Sequence, residues 1–424
     1  MFSILSKLSV KFDKIAHKLK LKNIEYFGKD MIDKPLLMAV MALLTLSLVM
    51  DYSLSVYTVQ HFGYGQFHFF IRQFAAVAVG LVSMIILSRL EPDRWFVRIG
   101  LLLFVGSFLL MMFMPFLPAS LVTAVGGAKR WIHLGPLSIA PVEFFKVGFV
   151  FFLAWSFKRK LEDRETMTFL EEFRMFMPYL ILFFVAVVLI AIFQKDLGQV
   201  VVLGATLITL FLFVGSSYKF FLTLLSAAFA GVIALIFLAP HRMARIKSWW
   251  LTVQDSILSV LPFKPLQELR VEGTVKEPWQ ISNSLNAIHN GGLWGQGLGN
   301  GQFKLGYLSE VHTDFILAGI TEELGFVGLT AVVLTIMVVI FRIFKIASKV
   351  KNTMYYLFSI GVGLMIAFAF LLNAYGIAGI TPIKGIAVPF LSYGGSHILA
   401  SCIAIGMVLM ISKKVPRDMH GNIL

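Results

Sequence analysis

The chain has 424 residues, 58% of them hydrophobic and only 14% charged, with a mean hydropathy of +0.83. Soluble domains are richer in charge, so this composition excludes a string of globular domains and points to an all-α, polytopic integral membrane protein. The net charge of +14 would suit nucleic acid, but its distribution follows the membrane, and the lone Cys402 in the last apolar segment leaves disulfides no part in the fold.

In chain order, residues 1–35 form a basic tail without a continuous apolar core, so no cleavable signal peptide is expected. Leu5, Leu8, Val10, Phe12 and Ile15 alternate there with lysines, which suits a membrane-surface segment and an unstructured tail equally. Ten apolar segments follow, each a candidate to cross a hydrocarbon core of about 30 Å. They cover 36–57, 69–90, 95–115, 141–158, 176–193, 197–215, 220–240, 315–341, 354–376 and 386–411, the fourth and sixth being short or interrupted. They define one membrane domain, 36–412, with a long loop at 241–313 between spans seven and eight and a short tail at 413–424. Ten spans put both termini on one side. That side collects the lysines of the tail with Arg89, Arg94, Lys158, Arg342, Lys345 and Lys413, while the opposite loop 58–68 has no Lys or Arg. The positive-inside rule then makes both termini cytoplasmic, and the basic excess serves topology and lipid headgroups before any nucleic acid.

Three outer stretches, 116–140, 241–313 and 377–397, are more than simple turns. Irregular backbone at membrane depth is tolerated only where protein buries it or a wet cavity borders it. Three such pieces on one face suggest a single outward-facing cavity. The second ends in His312-Thr313-Asp314-Phe315, followed within two turns by Glu322-Glu323-Leu324-Gly325. An ionised side chain at the bilayer centre costs at least ~2.5–3.5 kcal/mol, so such carboxylates face protein or water and usually have a task. Asp314 is either a chemical group or the cap of the helix that follows it. Glu322 and Glu323 point in different directions on their helix, so one of them is expected to face the cavity interior, and the sequence does not say which. Glu143 and Lys146, three apart, share a helix face and form a structural pair or reach the cavity. Lys129, Arg130, Arg242, Arg245 and Lys384 lie on the outer side against the charge rule. Trp131 suits an interfacial anchor. The glycines from Gly291 to Gly301 match no dinucleotide fingerprint, and composition alone leaves a floppy loop open. The histidines fit no zinc spacing.

The motifs in series resemble those of the SEDS family of cell-shape, division and sporulation proteins. Tyr307–Phe315 with Glu322–Gly325 is similar to the family's L-P-E-x-H-T-D-F and E-E-L-G. Arg130–Gly135 with Ser138–Lys146 looks like R-W-I-x-L-G and Q-P-S-E-x-x-K, Gln194–Gln199 like Q-P-D-L-G-T, and Pro389–Ser396 like P-F-I-S-Y-G-G-S. The resemblance runs from about residue 40 to 412. Lys195 and Ser309 replace prolines of the pattern, Gln199 a threonine and His397 a serine. The long basic tail and Lys384-Gly385 resemble the division-type members more than the elongation type.

The resemblance implies a peptidoglycan glycosyltransferase that polymerises lipid II at the outer face of the bacterial cytoplasmic membrane, at the septum, and releases undecaprenyl diphosphate. Asp314 then matches the family's proposed catalytic aspartate. Arg130, Arg245 and Lys384, with Lys129 and Arg242 behind them, become diphosphate contacts, and a divalent cation (Mg or Mn) could share that duty. Glu143, Lys146, Glu322, Glu323, Trp131 and the Ser392-Tyr393-Gly394-Gly395 break shape the cavity, the last as a lipid-tail groove or a plain helix kink. The implied partners are a class B penicillin-binding protein and other division proteins. A lipid II flippase and a non-catalytic division scaffold are the alternatives from other classes. Intramembrane polar residues cluster toward the outer ends of the spans, which favours the enzyme over the flippase.

Overall fold

The structure, a computed structural model, describes residues 31–122, 128–134, 137–161, 168–260, 270, 279–382 and 385–416. The tail 1–30, Gly126, Gly127, Lys384 and 417–424 lie outside the described residues. The order is α1 (Lys34–Leu54), α2 (Val56–Phe62), α3 (His68–Arg89), α4 (Pro92–Phe116), a hairpin of β1 (Ile132–Leu134) and β2 (Leu137–Ile139), then α5 (Pro141–Leu161), α6 (Phe169–Phe193), α7 (Leu197–Phe213) and α8 (Tyr218–Phe237). It continues with α9 (Pro240–Val260), α10 (Trp279–Gly291), α11 (Ile316–Lys349), α12 (Thr353–Ile377) and α13 (Gly395–Ser412). Eight of these, α1, α3, α4, α6, α8, α11, α12 and α13, are long and apolar enough to cross a membrane. The other two expected spans form α5, which carries Glu143 and Lys146, and the shorter apolar helix α7. The chain is an all-α multi-pass membrane protein.

Polar contacts lace one end of the bundle, where the described chain begins and ends. Asp33 caps α1 by accepting from the Leu36 amide at 2.9 Å, takes the Arg342 Nε of α11 at 3.1 Å, and its amide donates to Ser412 Oγ. Lys413 Nζ donates to the Arg89 and Leu90 carbonyls at 3.0 and 2.7 Å, closing the C-terminal end of α3. The core is apolar and aromatic. Phe176 of α6 meets Phe211 of α7 at 4.5 Å between ring centroids, and α12 is packed among α5, α7 and α11. Cys402 of α13 lies buried against Gly80 of α3.

The long segment 241–313 is not the irregular loop that hydropathy suggests. Its stretches 240–260 and 279–291 are helices α9 and α10. Both are mixed polar and apolar, so a search for continuous apolar runs passes over them. They fasten to the end of α12: Trp249 Nε1 donates to the Gly379 carbonyl at 2.6 Å and Ser284 Oγ to Ile377 at 3.1 Å.

The second departure from expectation lies inside α11. Gly325 has φ 71° and ψ −175°, so the helix breaks there. A break at membrane depth strands backbone groups that must find partners within the protein. The Gly-rich segment supplies them. The Gln296 and Gly297 amides donate to the Glu322 and Glu323 carbonyls at 2.9 Å, and the Phe326 and Val327 amides donate to Gly292 and Leu293 at 2.9 and 3.1 Å. The floppy-loop alternative gives way to a backbone ladder. Only glycine adopts the Gly325 conformation readily, and a Cβ there would sit 2.3 Å from the Leu293 carbonyl oxygen. Gly325→Ala is therefore expected to destabilise the protein by more than the ~1–3 kcal/mol of backbone strain alone. Thermal unfolding in detergent measures this, and an unchanged midpoint would contradict the ladder.

Candidate active site

Asp314 lies just before α11, which is capped at Phe315, and the Asp314 carboxyl makes no cap. Its backbone is held instead. Three successive carbonyls each accept a hydrogen bond: His312 from the Tyr393 amide at 2.9 Å, Thr313 from Ser392 Oγ at 2.6 Å, and Asp314 from Asn373 Nδ2 at 2.6 Å. Ser392 and Tyr393 belong to the motif loop ahead of α13, and Asn373 to α12. Gly385 of the same loop, at φ 60°, passes so close that a Cβ there would lie 2.9 Å from Asp314 Oδ2. Buried Phe390 holds φ 66°, a strained setting for an aromatic residue. Asp314, Leu372, Asn373, Gly376, Ile377, Gly385 and Ile386 line a small cavity, to which Asp314 keeps part of its surface open. Burial pushes the Asp314 carboxyl up to about 7, with Glu310 and Asp196 adding to the rise and Arg130 and Arg245 opposing it.

The candidate cations divide by what they touch. Arg130 donates from Nε to the Gln194 carbonyl at 2.8 Å and from its outer nitrogen to Lys195 at 3.0 Å, gripping the turn between α6 and α7. Lys195 sits there at φ 52°. Proline, fixed near −65°, could not take that conformation, so this turn excludes the proline of the family pattern, and nothing in the structure calls for lysine in particular. Asp196 caps α7 through the Gln199 amide at 3.2 Å, and its carboxyl is raised by burial against the pull of Arg130. Arg242 of α9 donates to the Leu235 and Ala191 carbonyls, both at 2.7 Å, and Lys129 to Pro115 at 2.9 Å. Arg245, one turn beyond Arg242, is exposed and has no hydrogen bond to another described residue, yet its charge reaches Asp314. The structure thus brings Arg130 and Arg245 toward Asp314 and spends Lys129 and Arg242 on carbonyls. Lys384 lies outside the described residues.

A family model described as cell cycle protein, covering FtsW, RodA and SpoVE, matches residues 34–416. The chain belongs to this family. It is 48% identical over 382 residues to the probable peptidoglycan glycosyltransferase FtsW of Helicobacter pylori, an alignment covering 90% of this chain and 98% of that one. The fold is shared with RodA of Thermus thermophilus, with a TM-score of 0.60 at 23% identity over 90% of this chain and 96% of that one. It is shared too with a chain of a peptidoglycan synthase complex that coordinates polymerization and crosslinking, with a TM-score of 0.65 at 22% identity over 90% and 97% of the two chains.

In this FtsW/RodA family member, a buried polar cluster lies behind the turn that Arg130 grips. Glu143 and Lys146 pair at 3.0 Å, Lys146 donates to Gln199 Oε1 at 2.6 Å, Gln199 donates back to Glu143 at 3.0 Å, and His397 Nδ1 lies 2.9 Å from the same carboxylate. Both partners besides Lys146 are positions where the chain leaves the family pattern. A longer glutamine and histidine reach one carboxylate that a threonine and a serine would not. Glu143 thereby joins the motifs of α5, α7 and α13.

Glu322 and Glu323 are both buried and both hold the Gly-rich segment. Glu322 accepts from Asn290 Nδ2 and the Gln302 amide at 3.0 and 2.6 Å, whereas Glu323 accepts from Ser53 Oγ and Lys304 Nζ, each at 2.7 Å. Neither lines the cavity beside Asp314. Trp131 is partly exposed at the start of the hairpin. Gly394 donates to Gln73 of α3, and Ser396 binds the Ser138 carbonyl and the Ala140 amide, so the Tyr393-Gly394-Gly395 break seats the motif loop between α3 and the hairpin. Among the described residues no group of three or more His, Cys, Asp or Glu side chains is placed to hold a metal ion. Asn373 was legible in the sequence only as one amide in an apolar span, and nothing there separates it from a surface residue.

Proposed function

We propose that this chain is a peptidoglycan glycosyltransferase that extends glycan strands from lipid II at the outer face of the cytoplasmic membrane during septal wall synthesis. The observation that carries this is Asp314, whose clamped backbone presents its carboxyl to a cavity with two arginines in electrostatic reach. Both termini would be cytoplasmic, with residues 36–412 forming the membrane domain. The attacking sugar hydroxyl gives its proton to Asp314 as it bonds to the anomeric carbon of the donor, whose bond to the diphosphate breaks. Such a base is worth about 10²–10⁴-fold. Arg245, exposed and without a competing hydrogen bond among the described residues, meets the diphosphate as negative charge grows there, and Arg130 contributes from behind. A class B penicillin-binding protein would be the crosslinking partner; the fold shared with a chain of a peptidoglycan synthase complex supports this.

The test is lipid II polymerisation by purified protein with its transpeptidase partner. Strands from the wild type support the enzyme; their absence, with lipid II moving across a vesicle membrane, would leave the flippase. The pH dependence is a further expected outcome. Asp314 acts ionised, and its carboxyl is raised to about 7, so the rate rises with pH through that value and falls about tenfold per pH unit below it. A rate flat from pH 5 to 8 would remove Asp314 from the base role.

A further inference from the structure

We infer that Asn373 is a positioning residue for this reaction, holding the Asp314 backbone and the motif loop together so that the carboxyl meets the attacking hydroxyl. The inference rests on the base role proposed for Asp314. Asn373 lies in the last turn and a half of α12, 5% exposed, in a helix otherwise apolar around it. Its Nδ2 donates to two carbonyls from two different segments, Asp314 and Ile386, each at 2.6 Å. The orientation of the amide follows from those partners, because a carbonyl only accepts and Nδ2 is the only donor. Both hydrogens are committed, one to each segment.

Two further observations connect this bond to the reacting group. Ile386 follows Gly385, the residue that grazes Asp314 Oδ2, so this amide ties the Asp314 backbone to the part of the loop that lies against its carboxyl. Asn373 also lines the cavity that Asp314 faces. Ser392 makes the neighbouring bond to Thr313, but it lies on the motif loop itself. Asn373 is different, because α12 is among the most buried helices of the bundle and supplies a fixed reference for both segments. Loss of the bond would let loop and carboxyl drift apart. Misplacement by about 1 Å can cost 10²-fold in rate.

The test compares Asn373→Leu, a change that keeps the branching of the side chain, with methyls somewhat larger than the amide, and removes both donors, with wild type and Asp314→Asn in lipid II polymerisation with the transpeptidase partner. Rates are taken per folded molecule, folding being followed by size exclusion and thermal unfolding. The expected result is a kcat at least tenfold lower, a KM within threefold of wild type, and an acid limb of the pH profile moved to lower pH as water reaches Asp314. A residue that only packs would keep kcat and leave the limb in place. Wild-type kcat in Asn373→Leu, or a lower kcat with an unmoved limb, would overturn the positioning role. Should Asn373→Leu not fold, Asn373→Ser retains one donor. An intermediate kcat with a moved limb then supports the role, and an unchanged pair overturns it. Full activity in Asp314→Asn would remove the base itself, while an inactive Asp314→Asn beside an unaffected Asn373→Leu overturns the clamp alone.

Discussion

Asp314→Asn is expected to lower strand formation by at least ~100-fold while leaving the protein folded and able to bind lipid II. Asparagine keeps the shape of the side chain, and the backbone bonds from Asn373 and Ser392 do not involve the carboxyl. What disappears is the ability to take a proton near neutral pH. No helix cap is lost, because the carboxyl caps nothing. The reading is glycan strand length and amount, with the melting temperature as the control for folding. Equal strands from wild type and variant would end the assignment. The search would then move to Asp196, half-buried and in electrostatic reach of Arg130, because Glu143, Glu322 and Glu323 are committed to partners in the interior.

Glu323→Gln is expected to cost about 3–5 kcal/mol of stability, because it strands a charge inside the protein. Lys304 and Glu323 are almost fully buried, 2.7 Å apart, with Ser53 bonded to both. Glutamine preserves volume and an acceptor for the Gly299 amide, but leaves the Lys304 ammonium without a counter-charge. A buried pair adds little over an apolar replacement, whereas half a pair is expensive. The double variant Glu323→Gln, Lys304→Met should therefore recover most of the loss, which chemical unfolding in detergent would show. A double variant as unstable as the single one would contradict the ion-pair account. The Gly-rich segment held by this pair leads directly to Asp314, so the single variant should lose activity as well.

The membrane class, the spans and the motifs were legible because each depends on local sequence. Runs of apolar residues reveal α1, α3 and α12 whatever surrounds them. The same method passes over α9 and α10, whose amphipathic composition does not resemble a span, and it reads α11 as continuous because one glycine barely alters an average over 34 residues. Glu322 and Glu323 do point in different directions, as helix geometry requires. Both are nonetheless interior, since the Gly-rich segment covers α11 on one side and α1 with Lys304 on the other. Charge could be located at Arg130 and Arg242 from the sequence, but the carbonyls of Gln194, Lys195 and Ala191 that they face come from residues 51 to 65 positions away.

By itself, the amino-acid sequence determined that this protein lives in a membrane, which family it resembles and which aspartate to suspect. Hydropathy and motif order are properties of neighbouring residues. Only the tertiary structure decided which cations face Asp314, that Glu143 is shared by Lys146, Gln199 and His397, and that Asn373 ties α12 to the site. In a low-dielectric interior every polar group needs a partner, and with water scarce that partner is supplied by whichever distant segment the fold brings near.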